Sequence, residues 1–388
     1  MSYFSITLYF SRKPANIRKK QVFPSVSIIM ATFNEEKVIA RKLKNTAELE
    51  YPRDKFEIVI VDSGSTDNTR GLVKDFAQRV VDGTRIRILT QEERLGKAAA
   101  LNYALRQCNS EVVVLSDADV MVNKDAILRM TLNFGDERIG AVSGIEVMQN
   151  PDESSTTKLE QGYRSFYNTL RLGETNLDSV VMCESELAGY RREFIEEIPN
   201  KTICDDMELT LQMRKKGFRA IYDPDVFFYE YSPSDYISRI RHKIRRGQGN
   251  QQTLMRFTNM LFRRKYGAFS SVIMPFEFFM NIVSPILTAI CVTSFLVTAL
   301  FFFNTLSFFL PLIFLAVTGL VVFIYLKTTS PATNVTLEKS RSNSRIEMIV
   351  SIADLISMEF ILLFSLLSLL LYGPKYKWNK IKSTRRES

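Results

Sequence analysis

The feature that most constrains this chain is an unbroken run of uncharged residues near its C-terminus. Residues 278–326 contain no Asp, Glu, Lys or Arg. One helical bilayer crossing needs about 20 apolar residues, so this run is long enough for two. We expect crossings at about 279–303 and 306–326, joined by a tight hairpin. The pattern predicts an integral membrane protein, because soluble core helices of this length are very uncommon.

A third apolar segment, 350–372, is less clear because acidic residues lie in its first half. We interpret it as a third crossing, with an interfacial or re-entrant helix as the alternative. The tail after it, 374–388, carries six Lys and Arg residues. Positive charge favours the cytoplasmic side, which two crossings would satisfy and three would not if the N-terminal part is cytoplasmic.

The positive charge of the chain is concentrated beside the apolar segments. The net charge is +9, and residues 235–275 combine basic side chains with apolar stripes at helical spacing. This pattern predicts interfacial helices that contact membrane lipids, with ordinary surface helices as the alternative. A nucleic-acid binder would also be basic, but the apolar stripes favour lipid, so we expect no nucleic-acid partner. The apolar N-terminal segment, 1–21, is interpreted as a further interfacial element.

The N-terminal part of the chain alternates short apolar runs with helical stretches. Strand-like runs occupy 26–30, 57–61, 86–89, 111–115 and 139–144. Helical patterns between them cover about 35–50, 67–80, 96–107 and 124–134. This order predicts an α/β domain over 22–234 with a Rossmann-like, mostly parallel sheet. Ligands of such sheets bind at the carboxyl ends of the strands.

Acidic residues follow two of these predicted strands. Asp62 ends the second run, where its carboxylate suits a nucleoside, although the sequence DSGSTD is also ordinary turn chemistry. Asp117 and Asp119 follow the fourth run. Two carboxylates so close repel one another unless a divalent cation lies between them and a diphosphate. Oxygen ligands favour Mg²⁺ or Mn²⁺, and the alternative for this pair is a solvated turn.

Other residues carry weaker signals of the same chemistry. Asp205 and Asp206 open a predicted helix, where one can act as a cap and the other as a general base with a raised pKa. Lys97 begins a helix, which favours phosphate, and Arg245 with Arg246 offers forked donors to a diphosphate. The single histidine, His242, excludes a Ser-His-Asp triad and a His-based zinc site. Four scattered cysteines indicate reduced thiols.

In their order along the chain, these motifs resemble the family 2 inverting glycosyltransferases. The matching segments are ATFNEE, VDSGSTD, RLGKAAALN, SDAD, the Gly189–Arg192 element, CDDMEL and RHKIRRGQG. They cover about 22–250, and the C-terminal part is similar to membrane-embedded members such as hyaluronan, cellulose and chitin-oligosaccharide synthases. The resemblance implies a GT-A fold for 22–234, interfacial helices over 235–275 and a membrane domain over 276–373.

The same resemblance implies a role for each matching residue. The general base would be Asp206. Asp119 would bind the metal together with Asp117. The donor side would comprise Thr32, Glu36, Asp62, Lys97, Asp117, Arg245 and Arg246. The acceptor side would include Gly189, Asp205 and His242.

Three positions depart from the family pattern. Ser63 stands where many members carry a second Asp, His242 replaces the usual Gln, and Arg246 replaces the usual Trp. Because that Trp helps polymerising members to hold the acceptor, its absence argues against processive synthesis.

The sequence therefore predicts a membrane-bound transferase with a cytoplasmic catalytic domain. It would move a sugar from a nucleotide-sugar, with UDP as the commonest family donor, to a lipid-linked or glycan acceptor. One alternative is a polysaccharide synthase that extrudes its product. Another is a non-catalytic membrane scaffold with a degenerate nucleotide-binding domain.

Overall fold

The structure is a computed structural model that describes residues 3–80, 83–301, 344–376 and 384–385. The predicted crossing at 306–326 lies outside these residues.

A single mixed sheet of eight strands forms the centre of the N-terminal domain. The strands are β1 (Val26–Thr32), β2 (Phe56–Ser63), β3 (Arg85–Gln91), β4 (Val112–Ser116), β5 (Met121–Val122), β6 (Ile139–Met148), β7 (Leu187–Arg191) and β8 (Arg219–Glu230). Their order across the sheet is β3-β2-β1-β4-β7-β6-β8-β5. Strands β3, β2, β1 and β4 are parallel, as are β6 and β8. The predicted Rossmann-like α/β sheet is thereby confirmed.

The sequence did not predict the antiparallel strands. Strand β7 pairs antiparallel with both β4 and β6, and the two-residue β5 pairs antiparallel with β8. Both are short, and their partners lie far away in the sequence, so local patterns do not specify the pairing.

Helices cover both faces of the sheet. They are α2 (Ile39–Ala47), α3 (Thr69–Arg79), α4 (Lys97–Leu105), α5 (Ala126–Asn133), α6 (Ser155–Leu177) and α7 (Asp205–Lys215), while the N-terminal helix α1 (Tyr3–Ser11) packs on α6. Alternate strand residues point to opposite faces, so Ile28 and Ile58 pack on one side while Ile29 and Val59 pack on the other. The sheet is thus buried on both faces, as expected for a central parallel sheet.

A third apolar core joins the N-terminal helix to the C-terminal part of the chain. Helix α8 (Tyr236–Arg256) ends in this core, where Leu254 and Phe257 are buried. These two residues of the predicted apolar stripe therefore pack against the catalytic domain and not toward lipid. Ile237, in the first turn of α8, is 63% exposed and remains available to lipid.

The apolar C-terminal helices lie beside α8. A helical stretch with two π-helical turns contains α9 (Met274–Phe278) and α10 (Ser284–Phe301). Within it, Phe269–Thr298 is the one described helix long and apolar enough to cross a membrane. Helix α11 (Ser344–Tyr372) packs along α8, where Arg239 forms a two-fold ion pair with Asp354. Large apolar side chains on the outer surface of α10 and α11 are exposed, among them Ile290, Phe364 and Leu371.

Candidate active site

The candidate site lies at the carboxyl ends of three adjacent parallel strands. Thr32 at the end of β1 is paired in register with Asp62 of β2, and β4 beside them leads into Asp117 and Asp119. The turn after β2 contains Gly64 at a φ of +72°, and a Cβ there would lie 3.2 Å from the backbone around Arg94. A side chain would therefore be strained at this turn, which brings two loops together at the sheet edge.

Of the two carboxylate oxygens of Asp62, one accepts hydrogen bonds from the described residues and the other does not. Arg70 donates two hydrogen bonds to Oδ2, at 2.9 and 2.7 Å. The other oxygen, Oδ1, is buried and has no hydrogen-bond partner among the described residues. A buried acceptor of this kind is costly unless a ligand donates to it. The Thr32 hydroxyl, in contrast, donates to the Val61 carbonyl at 3.2 Å.

The two glutamates of the first motif differ in their surroundings. Glu36 is exposed and accepts a hydrogen bond from the Asn68 backbone N–H, so it supports the turn before α3. Glu35 is buried, and Arg385 lies 3.3 Å from its carboxylate. The structure therefore brings Glu35, rather than the predicted Glu36, into the acidic cluster.

Lys97 connects two of the acidic motifs. Its ammonium lies 2.9 Å from Asp117 Oδ1 and 3.5 Å from Asp205 Oδ2, and it donates to the Ser185 hydroxyl at 2.9 Å. Burial opposes the charge on Lys97, but the two carboxylates outweigh it and raise its pKa. In turn, Lys97 outweighs the effect of burial on Asp117 and lowers the pKa of that carboxyl. The predicted residues Lys97, Asp117 and Asp205 thus form one cluster.

Asp119 is buried on the other side of the same loop. Its Oδ2 is 2.7 Å from Arg385 Nη1, and burial raises the pKa of its carboxyl. Within the described part of the chain, no three His, Cys, Asp or Glu side chains are arranged to hold a metal ion by themselves. Asp117 and Asp119 nevertheless offer carboxylate oxygens that already attract cationic groups. This donor chemistry fits Mg²⁺ or Mn²⁺ if a diphosphate supplies further oxygens.

A buried lysine supports the loop that carries these two acids. Lys42 of α2 is fully buried, and its ammonium donates to the Ser116 hydroxyl at 2.7 Å and to the Val120 carbonyl at 2.6 Å. Lys42 therefore holds both ends of the loop that carries Asp117 and Asp119, at the residue before the first acid and the residue after the second. Burial lowers the pKa of Lys42 to about 7.

Asp206 lies in the first turn of α7, next to Asp205. Its Oδ1 accepts a hydrogen bond from the Met207 backbone N–H and another from the Cys204 thiol, each at 2.8 Å. Burial raises the pKa of Asp206 to about 6, and the negative charge of Asp205 adds to this effect. A carboxylate with this pKa can accept a proton near neutral pH.

Helix α8 closes the pocket opposite the strand ends. His242 and Arg245 line the same pocket as Asp117 and Asp119. Arg246 is directed to Glu186, with its Nη2 at 2.8 Å from Oε1. Burial and the neighbouring arginines lower the pKa of His242 well below its usual value.

Gly189 lies in the sheet and does not line the pocket. Gly189 lies in the middle of β7, paired with Val114 and Val142, and a Cβ there would be 2.6 Å from the Met130 sulfur. Gly189 therefore occupies a packing position between the sheet and α5, and its acceptor-side role stays a prediction.

Sequence reasoning also missed Glu35, Lys42, Ser185 and Arg385. Lys42 and Arg385 reach the site from elements that the motifs do not include. Of these four residues, Glu35 could have been proposed from the motifs, because it is the other acid of the first motif, ATFNEE.

Comparison with known proteins agrees with this geometry. Residues 27–199 match the glycosyl transferase family 2 profile. A β-monoglucosyldiacylglycerol synthase from Nostoc sp. is 28% identical over 63% of this chain and 53% of its own length. A poly-β-1,6-N-acetyl-D-glucosamine synthase from Staphylococcus aureus is 25% identical over 67% of this chain and 65% of its own length. The chain thus spans about half to two thirds of these relatives.

A solved structure matches over nearly the whole chain. It is a mannosyltransferase from Pyrobaculum calidifontis in complex with GDP-Man and Mn²⁺, 26% identical, with a TM-score of 0.73. The match covers 95% of this chain and 94% of that one. Together with the family profile over 27–199, it shows that the N-terminal part of this chain is similar to glycosyltransferase family 2 domains and has the GT-A fold.

Proposed function

We propose that the protein is an inverting glycosyltransferase that takes a sugar from a nucleotide-sugar donor. The observation that carries this proposal is the cluster in which Lys97 bridges Asp117 and Asp205, with Asp206 as the next residue along the chain. A cation-binding loop, a phosphate-binding lysine and a carboxylate of raised pKa are what such a transfer needs at one place. A purely structural cluster has no need of Asp62 with a buried oxygen that no described residue pairs with.

Each of these residues has a distinct task in the proposed reaction. Asp62 accepts a hydrogen bond from the nucleoside, while Lys97 and Arg245 bind the diphosphate. Asp117 and Asp119 would hold a Mg²⁺ or Mn²⁺ ion, which would neutralise charge on the departing diphosphate. Asp206 takes the proton from an acceptor hydroxyl. The new bond from that oxygen to the anomeric carbon forms as the bond to the diphosphate breaks, and the nucleoside diphosphate leaves.

GDP-mannose is the first donor to test. The mannosyltransferase that matches 95% of this chain was solved with GDP-Man and Mn²⁺. The family resemblance had suggested UDP, and UDP-sugars therefore form the second group of donors. A panel of both, incubated with purified protein and with or without Mn²⁺, tests the proposal by release of nucleoside diphosphate. Metal-dependent release from one donor supports it, and no release from any donor, with lipid extract supplied as acceptor, contradicts it.

The acceptor is proposed to be lipid-linked. The pocket wall formed by His242 and Arg245 belongs to α8, and α8 packs against α11. The outer surface of α11 exposes Phe364 and Leu371, which suits a membrane. A hydroxyl or phosphate that is attached to a lipid would thus reach Asp206 from the bilayer surface. Membrane attachment itself is part of this proposal and rests on α10, α11 and the basic tail.

Polysaccharide synthesis is the second candidate, because one relative is a poly-N-acetylglucosamine synthase. Arg246 argues against it, because this side chain is engaged with Glu186 at 2.8 Å. Product size distinguishes the two: a lipid extended by one sugar supports single transfer, and long chains support polymerisation.

A further inference from the structure

The C-terminal segment of the chain reaches the candidate donor site. A Cβ on Gly96, the residue before Lys97, would lie 3.2 Å from the ring of Tyr376. Further along, Thr384 and Arg385 line the pocket that contains Asp117 and Asp119. The tail therefore meets the site at two places, one beside the start of α4 and one at the acidic loop.

Arg385 is bound between two buried carboxylates. Its Nη1 lies 2.7 Å from Asp119 Oδ2, while its Nε and Nη2 lie 3.3 and 3.4 Å from the two oxygens of Glu35. The carboxylates are 5% and 6% exposed, and the guanidinium side chain is 15% exposed. Buried carboxylates so placed are stable only with a cationic partner, and a forked guanidinium can satisfy both of them.

We propose that Arg385 is the resident cation of the ligand-free donor site and competes with the divalent metal ion for Asp119. The inference rests on the proposed metal role of Asp119. The same carboxylate oxygen cannot accept a guanidinium hydrogen bond and coordinate a metal ion fully, and the two cations repel one another at this distance. Metal binding must therefore displace Arg385 from Asp119. The tail would hold the site in an inactive state until donor and metal arrive together.

Removal of Arg385 should strengthen metal binding even without nucleotide. The probe is Mn²⁺ alone, titrated into the full-length protein in detergent, with the free ion measured by electron paramagnetic resonance. We expect Arg385→Gln to bind Mn²⁺ about tenfold more tightly than the unchanged protein, since a part-buried charge pair no longer opposes the ion. The matched control is Lys375→Gln, which removes an exposed positive charge from the same tail and should leave the affinity unchanged.

Arg385→Lys separates charge from geometry. Arg385→Lys keeps the positive charge, but an ammonium group cannot contact Glu35 and Asp119 at once as the guanidinium does. We therefore expect its Mn²⁺ affinity to lie between those of the unchanged protein and Arg385→Gln. Equal Mn²⁺ affinity in the unchanged protein and Arg385→Gln would overturn the competition while leaving the metal site intact. If Arg385→Gln and Lys375→Gln tighten binding equally, general tail charge is the cause and the inference is also overturned. Failure of every variant to bind Mn²⁺ without nucleotide would overturn the competition in the ligand-free site, while the metal role of Asp119 would then be judged by its nucleotide-dependent Mn²⁺ binding.

Discussion

Burial of charge governs the chemistry at the residue scale. Asp206 has a pKa of about 6 because it is removed from water beside Asp205, while its hydrogen bond from the Cys204 thiol moderates the rise. The sequence suggested one helix cap and one base in this pair. Burial, which the sequence does not reveal, is what makes Asp206 suited to proton transfer.

Substitution of Asp206 by Asn should separate catalysis from binding. An amide cannot take up the acceptor proton, so we expect kcat to fall by about 10³-fold, within the usual range for loss of a general base. Donor affinity, measured by calorimetry, should change by less than about threefold because Asp206 does not contact the nucleotide in the proposed scheme. Equal losses of rate and donor affinity would contradict the assigned role.

The pH dependence of transfer follows from the same carboxyl. The base must be ionised, so the rate should fall about tenfold per pH unit below about pH 6 and level off above it. Asp205→Asn removes the adjacent negative charge, which helps to raise this pKa, and should move the acidic limb to lower pH. An acidic limb that stays in place in Asp205→Asn would show that another group controls the rate.

At the scale of elements, short-range sequence patterns predicted the strands and helices that neighbouring residues form. The five predicted strands, β1 to β4 and β6, and the helices between them were found because buried strands and amphipathic helices are visible in short windows. The antiparallel β7, the burial of Leu254 and the return of Arg385 to Asp119 were not predicted. Each depends on a partner that is distant in the sequence, and no local pattern encodes it.

The docking of α1 on α6 is one such long-range contact, and it can be tested. A Cβ on Gly173 of α6 would collide with the Thr7 carbonyl of α1, whereas a Cβ on Gly162 of the same helix would meet open space. Gly173→Ala should therefore release α1 and lower the melting temperature, with faster trypsin cleavage near Arg12. Gly162→Ala is the control and should match or exceed the stability of the unchanged protein, because alanine favours helix. Similar behaviour of the two variants would argue against this packing.

At the scale of the whole molecule, the C-terminal tail bears on the proposed membrane topology. Tyr376 adjoins Gly96 and Arg385 contacts Asp119, so both residues lie against the catalytic domain. In the proposed membrane arrangement, this placement favours an even number of crossings, with α11 as an interfacial helix. The three-crossing interpretation would put the tail on the opposite side.

Cysteine labelling tests this topology. A single cysteine at Lys375 should react with a membrane-impermeant maleimide from the same side as one at Gly83, in sealed vesicles of known orientation. The background variant lacks the exposed Cys291. Labelling of the two positions from opposite sides of the membrane would contradict two crossings and support three.

The central claim is that acids at one edge of the sheet hold a metal ion against a nucleotide diphosphate. The most direct measurement is calorimetric titration of GDP, and of UDP in parallel, into the full-length protein with and without Mn²⁺, compared with Asp119→Asn. The account predicts that Mn²⁺ tightens the binding of one of these nucleotides by at least about tenfold in the unchanged protein and has little effect in Asp119→Asn. Equal enhancement by Mn²⁺ in both proteins, or none in either, would contradict it.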